Sequence, residues 1–414
     1  MTSIAFLLLF LNVLALIPIE ISKSNREARE RAFQVSRAAA LVALVSLAVF
    51  TFKGSTQWWY PFPALVACIT VVATGMSRLS NTTRRTYSSM MVLSALSYSS
   101  VFLPAGWPLV LPLIGSCTVA WREVRARSLK TARVFALYMG VSCLLALVGS
   151  ASPKLLVLVV LALGLREACF PFHSWLPSFV EAAPMGIVVT FITPQIGVFL
   201  HLKTVSGQLP TSLHFEVAAL GVITALAGAL LASVQTNLKR VVAYLFISQS
   251  GLVAFGLENS HQLGRAGALA CWLVMGLGMA GLSMSVEALA ARRADQLELD
   301  RPGRDFESTP ALATTFLLSG LAMVGLPGTL GFVSEDLLIQ GSVGEFPALG
   351  YALIVVTAIN AVTILRCLLS IFSGPKCEHA EDLVSREKRA VELILGSLFL
   401  LGMFPGIVAG WFGG

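Results

Sequence analysis

The sequence predicts an all-α, polytopic membrane protein, and three observations predict it. Apolar runs recur from end to end of the 414-residue chain. Hydrophobic residues make up 56% and charged residues only 12%, a balance foreign to soluble globular domains. The basic residues gather in short segments between the runs.

A helix that crosses a bilayer needs about 20 apolar residues. On that measure the chain divides into about fourteen spans, near residues 3–21, 38–52, 61–77, 87–103, 107–121, 133–150, 154–170, 185–203, 214–234, 240–257, 265–290, 310–325, 348–372 and 391–412. The first is read as a span rather than a signal sequence, because no basic segment precedes it and no small-residue cleavage site follows. The count is tested by the basic clusters: Lys23/Arg26/Arg29/Arg31/Arg37, Arg78/Arg84/Arg85, Arg122/Arg125/Arg127/Lys130/Arg133, Lys239/Arg240, Arg292/Arg293/Arg301/Arg304 and Lys376/Arg386/Lys388/Arg389. With fourteen spans every cluster falls on one side, which makes that side cytoplasmic and puts both termini outside. A bacterial inner membrane is the expected location. The formal charge of +7 therefore reports orientation in a lipid bilayer and not nucleic-acid binding.

Two spans are predicted to be discontinuous. The seventh breaks around Cys169–Phe172, and the twelfth at Gly325-Leu326-Pro327-Gly328, five spans later. Matching Pro/Gly breaks in two halves point to inverted five-helix repeats, about 87–203 and 214–372, within one membrane domain over 1–414. The plainer alternative is that proline and glycine simply kink membrane helices.

Charges on these spans are the candidate site. Arg166 and Glu167 lie late in an apolar run, where an unpaired charge is costly and usually functional. Neighbours on a helix point about 100° apart, so each needs its own partner, either a hydrated path or an inter-helix salt bridge. His173 follows the first break and suits either proton relay or capping of freed carbonyls. Lys239 sits beside Arg240 in a junction rich in polar groups (Gln235, Asn237, Ser248, Gln249), readable as interfacial anchors or as a hydrated path. Glu335 and Asp336 follow the second break. Arg366, inside the thirteenth span, is a plausible partner for an acid near that break.

The seven cysteines show no CxxC and lie mostly in apolar runs, which predicts buried thiols and no disulfide, zinc or iron–sulfur site. Walker, GxGxxG, GxSxG and HExxH patterns are absent, so no cofactor is expected in this chain.

Three segments carry a resemblance. FPFHSWLP at 170–177, QTNLKRVVAYLFISQSG at 235–251 and GLPGTLGFVSED at 325–336 resemble the antiporter-like membrane subunits of respiratory complex I. Such subunits also occur in Mrp-type sodium/proton antiporters, membrane-bound hydrogenases and DAB inorganic-carbon uptake systems. The resemblance implies fourteen helices and a proton path of paired carboxylates, lysines and histidines. It also shows departures. Asn237 stands where Asp is usual. No acid lies between Glu30 and Glu123, so the fifth-helix glutamate is missing. Arg166 occupies the position of the seventh-helix lysine, Thr190 that of the eighth-helix histidine, and Met279 that of an eleventh-helix lysine. Arginine stays protonated and cannot exchange a proton as a tuned lysine can.

The resemblance implies a membrane subunit of a multi-subunit, energy-coupled, proton-translocating complex with a partly degenerate path. The complex is either complex-I- or hydrogenase-like, or a DAB-type system for CO2 or bicarbonate uptake with a zinc-containing, carbonic-anhydrase-like partner. A non-conducting scaffold and a stand-alone cation/proton antiporter are the alternatives. Enzyme chemistry, where there is any, is expected in partner subunits.

Overall fold

The computed structural model describes residues 2–53, 57–76, 82–292, 297–300, 306–374 and 382–412. Arg78, Arg293, Arg301, Arg304, Lys376 and Cys377, named above, lie outside the described residues. The described residues form nineteen α-helices: α1 (Thr2–Leu14), α2 (Leu16–Glu20), α3 (Asn25–Phe52), α4 (Phe62–Gly75), α5 (Arg84–Phe102), α6 (Trp107–Arg125), α7 (Leu129–Gly149), α8 (Leu156–Arg166), α9 (Trp175–Ala182), α10 (Met185–Ile192), α11 (Ile196–Leu200), α12 (Thr211–Val234), α13 (Leu238–Leu257), α14 (Gln262–Arg292), α15 (Pro310–Met323), α16 (Leu330–Val343), α17 (Pro347–Phe372), α18 (Ser385–Met403) and α19 (Pro405–Phe412). Each of the fourteen predicted spans overlaps one of these helices or a consecutive pair.

Eight helical segments are long and apolar enough to cross a membrane; α4 and α15 are shorter apolar helices. The chain is an integral membrane protein. α14 forms the axis of the bundle, with every residue of its most apolar window buried, whereas α1 and α3 bury only 28% of theirs. Outer helices turn Leu41, Val45, Leu137, Ile354, Val362 and Leu369 outward. An apolar exterior of this kind suits lipid rather than water.

The structure corrects several boundaries. α3 begins at Asn25, well before the predicted 38, because Ser24 caps it by accepting from the Glu27 N–H and its polar first half already buries Ala28, Ala32 and Phe33. The first span is interrupted at Ala15, where Pro18 has no N–H to give to the Leu14 carbonyl. The eighth span breaks at Thr193–Gln195 around Pro194, with Gln195 in the left-handed region (φ 42°). It ends in a π-helical turn, His201–Val205. The fourteenth bends by 85° between α18 and α19 at Pro405. α9 and α16, the far halves of the seventh and twelfth spans, were not anticipated as separate helices.

The predicted basic clusters converge through contacts. Arg386 on α18 pairs with Glu30 on α3 at 2.9 Å and donates to the Gly75 carbonyl at the end of α4. Arg292, ending α14, pairs with the buried Glu387 at 2.8 Å. Arg84 donates to the Ser22 carbonyl, and the extended segment at Leu297–Leu299 pairs with the backbone of Thr236 and Leu238.

α12 and α13 touch backbone to backbone. A Cβ on Gly228 would lie 2.6 Å from Ser248 N, and one on Gly251 would lie 2.5 Å from Ala225 N. Only hydrogen at those positions allows the approach, the usual device for close helix packing in lipid.

Candidate functional site

The first break is built where α8 stops at Arg166. Ala168 takes a left-handed conformation (φ 56°), the Phe170–Pro171 bond is cis, and a short 3-10 turn leads into α9. Polar groups freed by the break are taken up locally. Trp175 Nε1 donates to the Leu165 carbonyl at 3.0 Å, and the Phe170 N–H donates to Thr224 Oγ1 at 3.0 Å. Irregular backbone survives at membrane depth only when satisfied in this way.

Arg166 is 1% exposed. Its Nη2 donates to the Phe191 carbonyl at 2.9 Å, and the guanidinium lies 3.9 Å from the centre of the Phe191 ring. Its Nε and Nη1 are buried with no hydrogen bond among the described residues. Glu167 turns away, against Gly197 and beside the Gln195 amide, and neither carboxylate oxygen makes a hydrogen bond of good geometry. The inter-helix salt bridge considered for this pair is not formed among the described residues. His173 stacks on Phe170 at 5.2 Å and faces Tyr244 at 6.2 Å, with a buried, unbonded Nδ1.

The second break runs from Val324 to Thr329, with Gly325 at φ 83°. Gly325 has a second duty, since a Cβ there would meet Glu335 Oε2 at 2.5 Å. Glu335 Oε1 is buried without a hydrogen bond, and Thr357 and Cys271 are its neighbours from α17 and α14. Asp336 does not join it. It is exposed and accepts from Gln340 on its own helix at 2.8 Å.

Two other expected residues lie elsewhere. Lys239 occupies the first turn of α13, half-buried, its backbone N–H given to Asn237 Oδ1 at 3.0 Å. Its neighbour Arg240 pairs with Glu181 at 2.6 Å near the surface. Among the described residues Arg366 pairs with no acid. Its Nη2 donates to the carbonyl of Gln235 at 2.8 Å and reaches that of Ala232 at 3.5 Å, at the C-terminus of α12. A helix C-terminus presents unpaired carbonyls and the negative end of the dipole, a strong attractor for a guanidinium.

Sequence reasoning missed one cluster. Glu258, 2% exposed at the end of α13, lies 2.7 Å from His214 Nδ1 on α12 and 3.3 Å from His201 Nε2 after α11. The available signal was His201 inside an apolar run and an acid directly after Leu257. Among the described residues no group of three or more His, Cys, Asp or Glu is arranged to hold a metal ion.

Comparison with known proteins gives this geometry its setting. The family described as NADH:quinone oxidoreductase/Mrp antiporter, TM matches residues 80–360. The chain belongs to this family. Among the antiporter family's members it is 30% identical over 252 residues to NADH-quinone oxidoreductase subunit M of Mycobacterium tuberculosis, covering 59% of this chain and 45% of that one. It is 32% identical over 268 residues to NAD(P)H-quinone oxidoreductase chain 4 2 of a Synechococcus strain, covering 60% and 50%. The chain spans about half the length of the curated relatives it matches. Its fold superposes on a chain of respiratory complex I from Thermus thermophilus with a TM-score of 0.87 at 20% identity, covering 99% and 97% of the two chains. A chain of the Mrp complex from a Dietzia strain gives 0.86 at 13% identity, covering 100% and 96%.

Between Glu30 and Glu123 the sequence still holds no acid for the fifth helix. α6 runs on to Arg125 and so includes Glu123. That carboxylate is bonded to Ser89 at 2.7 Å and to Arg127 at 3.2 Å, at the basic end of the helix. Thr190 spends its hydroxyl on the Gly186 carbonyl of its own helix, and Met279 is fully buried.

Proposed function

We propose that the chain is a membrane subunit of a multi-subunit, energy-coupled complex and moves protons along a path that is partly degenerate. The observation that carries this reading is Glu335, a carboxylate with a buried, unbonded oxygen seated against the Gly325 turn of a broken span. An acid held there without a fixed cation can gain and lose a proton, as a path requires. Glu167 offers the same chemistry at the first break, and His173 with Tyr244 lies next to it. On this reading the two halves, about 87–203 and 214–372, are inverted repeats, each with one break. The basic face is cytoplasmic in a bacterial inner membrane, and both termini are on the other face.

The test uses the complex that co-purifies with the chain in mild detergent, reconstituted in vesicles. Glu335→Gln and Glu167→Gln are each expected to lower uncoupler-sensitive proton translocation at least tenfold without loss of assembly. Wild-type translocation from both assembled variants defeats the proposal. It would favour the scaffold reading, which has its own support: Arg166 holds a fixed charge, and neither Thr190 nor Met279 has a group that ionises near neutral pH. The co-purifying subunits also identify the complex. Quinone-reductase or hydrogenase subunits point one way, and a zinc carbonic-anhydrase-like subunit points to inorganic-carbon uptake. Flux from the chain alone in liposomes would instead mark a stand-alone antiporter.

A further inference from the structure

We propose that His201, His214 and Glu258 form a proton-exchange station on the face opposite the basic one, joined to Glu167 by a half-open cavity. The inference rests on the proton-moving reading above and assigns that path an opening it otherwise lacks.

The cluster is costly in structural terms. A carboxylate buried to this degree needs compensation, and a single cation would supply it. Here it stands between two imidazoles brought from different spans, and His214 keeps 22% of its side chain exposed to the surroundings. An imidazole can both accept and donate a proton, so two imidazoles against one carboxylate give a passing proton three seats. Arg265, from α14, is the other charge that acts on both His201 and Glu258, and it donates to Ser206 Oγ at 3.0 Å. The remaining charges nearby are committed elsewhere. Lys203 donates to the carbonyls of Ser100, Val101 and Leu103, and Glu345 accepts from Ser260.

A cavity of about 70 Å³ lies between α8, α11, α12 and α13. Glu167, Gln195, Ser250, His201 and Glu258 all line it. Six residues separate Gln195 from His201 and eight separate Ser250 from Glu258, so the helical rise puts the two polar groups about 9–12 Å apart. One water needs roughly 10–15 Å³ on this measure, so the volume admits a short file of waters, held by those five polar groups along an otherwise apolar wall that includes Val160, Leu163, Val217 and Leu220. A proton entering through His214 passes to the Glu258 carboxylate. It leaves Glu258 through the water file and neutralises the Glu167 carboxylate, and His214 is reprotonated from the aqueous face. Arg166 keeps its charge throughout.

The experiment compares Glu258→Gln, His214→Gln and Glu335→Gln in the assembled, vesicle-reconstituted complex, scoring assembly by co-purification. Glu258→Gln is expected to cut proton translocation at least tenfold in assembled complex. His214→Gln is expected to change the pH dependence of the rate, which a purely structural bridge would not do. A wild-type rate from assembled Glu258→Gln overturns the proposal. Should Glu258→Gln fail to assemble, the His214→Gln profile decides: a changed profile supports the station and an unchanged one overturns it. Loss of rate in Glu335→Gln beside a wild-type rate in Glu258→Gln removes this station alone. Wild-type rates in all three variants and in Glu167→Gln remove the proton-moving reading itself.

Discussion

Replacing Glu387 with alanine tests how the basic face is held together. Its side chain is 0% exposed, and that of its partner Arg292 is 8% exposed. Glu387 Oε2 accepts from Arg292 Nη2 at 2.8 Å and from the Val384 N–H at 3.0 Å, tying the end of α14 to the start of α18. Removing one member of a buried ion pair costs about 3–5 kcal/mol, because the other charge stays buried. Arg292 would retain the Ala288 and Asp382 carbonyls, both at 3.0 Å. Those bonds put the expected loss near the lower end, about 3 kcal/mol, of which about 1 kcal/mol is the lost cap of α18. A change of that size is on the order of a hundredfold in the folding equilibrium. The assay is equilibrium unfolding of the detergent-solubilised chain in a double-mutant cycle with Arg292→Met. The double variant should be little worse than either single one, leaving a coupling energy of about 2 kcal/mol. A coupling below about 0.5 kcal/mol would refute the reasoning, since it is the value of an exposed pair.

Three further outcomes are expected. Gly251→Leu should give no monodisperse protein on size-exclusion chromatography, because its Cβ alone would sit 2.5 Å from Ala225 N; a normal peak contradicts the backbone contact. Arg366→Met should cost about 1–2 kcal/mol of stability and leave translocation per folded molecule unchanged. Full stability with a tenfold slower rate would instead place Arg366 on the path. Trp175→Phe removes the bond to the Leu165 carbonyl and should cost about 1 kcal/mol, seen as faster hydrogen exchange in the last turn of α8. Unchanged exchange there would show that the break does not depend on it.

The spans were legible because lipid imposes a length and a composition, and α7, α12, α13 and α14 follow both. The breaks were legible at Pro171 and Gly325–Gly328, where the chemistry of the residue sets the backbone. The interruption at Gln195 was harder, since one proline in an apolar run serves equally as a kink. Arg366 was misassigned because opposite charge is visible in sequence, whereas the carbonyls of a helix end are not. Glu123 was placed outside the fifth span because the apolar run ends at Trp121, whereas the helix continues to Arg125. His201, His214 and Glu258 stayed hidden for a different reason. They come from three different spans, with Glu258 44 residues beyond His214, each sits at the end of a span where polar residues are ordinary, and only the tertiary fold makes them neighbours.

The glycine seam between α12 and α13 has a mechanical consequence. Side chains that interdigitate can slide by changing rotamers, but two main chains in contact cannot. The ninth and tenth spans must therefore travel as one strut. Any motion that opens or closes a path has to occur at its flanks, along its joints with α9, α14 and α17. The strut carries Ser250 and Glu258 on one flank and Ser248, bonded to Asn360 of α17 at 2.9 Å, on the other. A small tilt would then be felt in both halves of the protein at once.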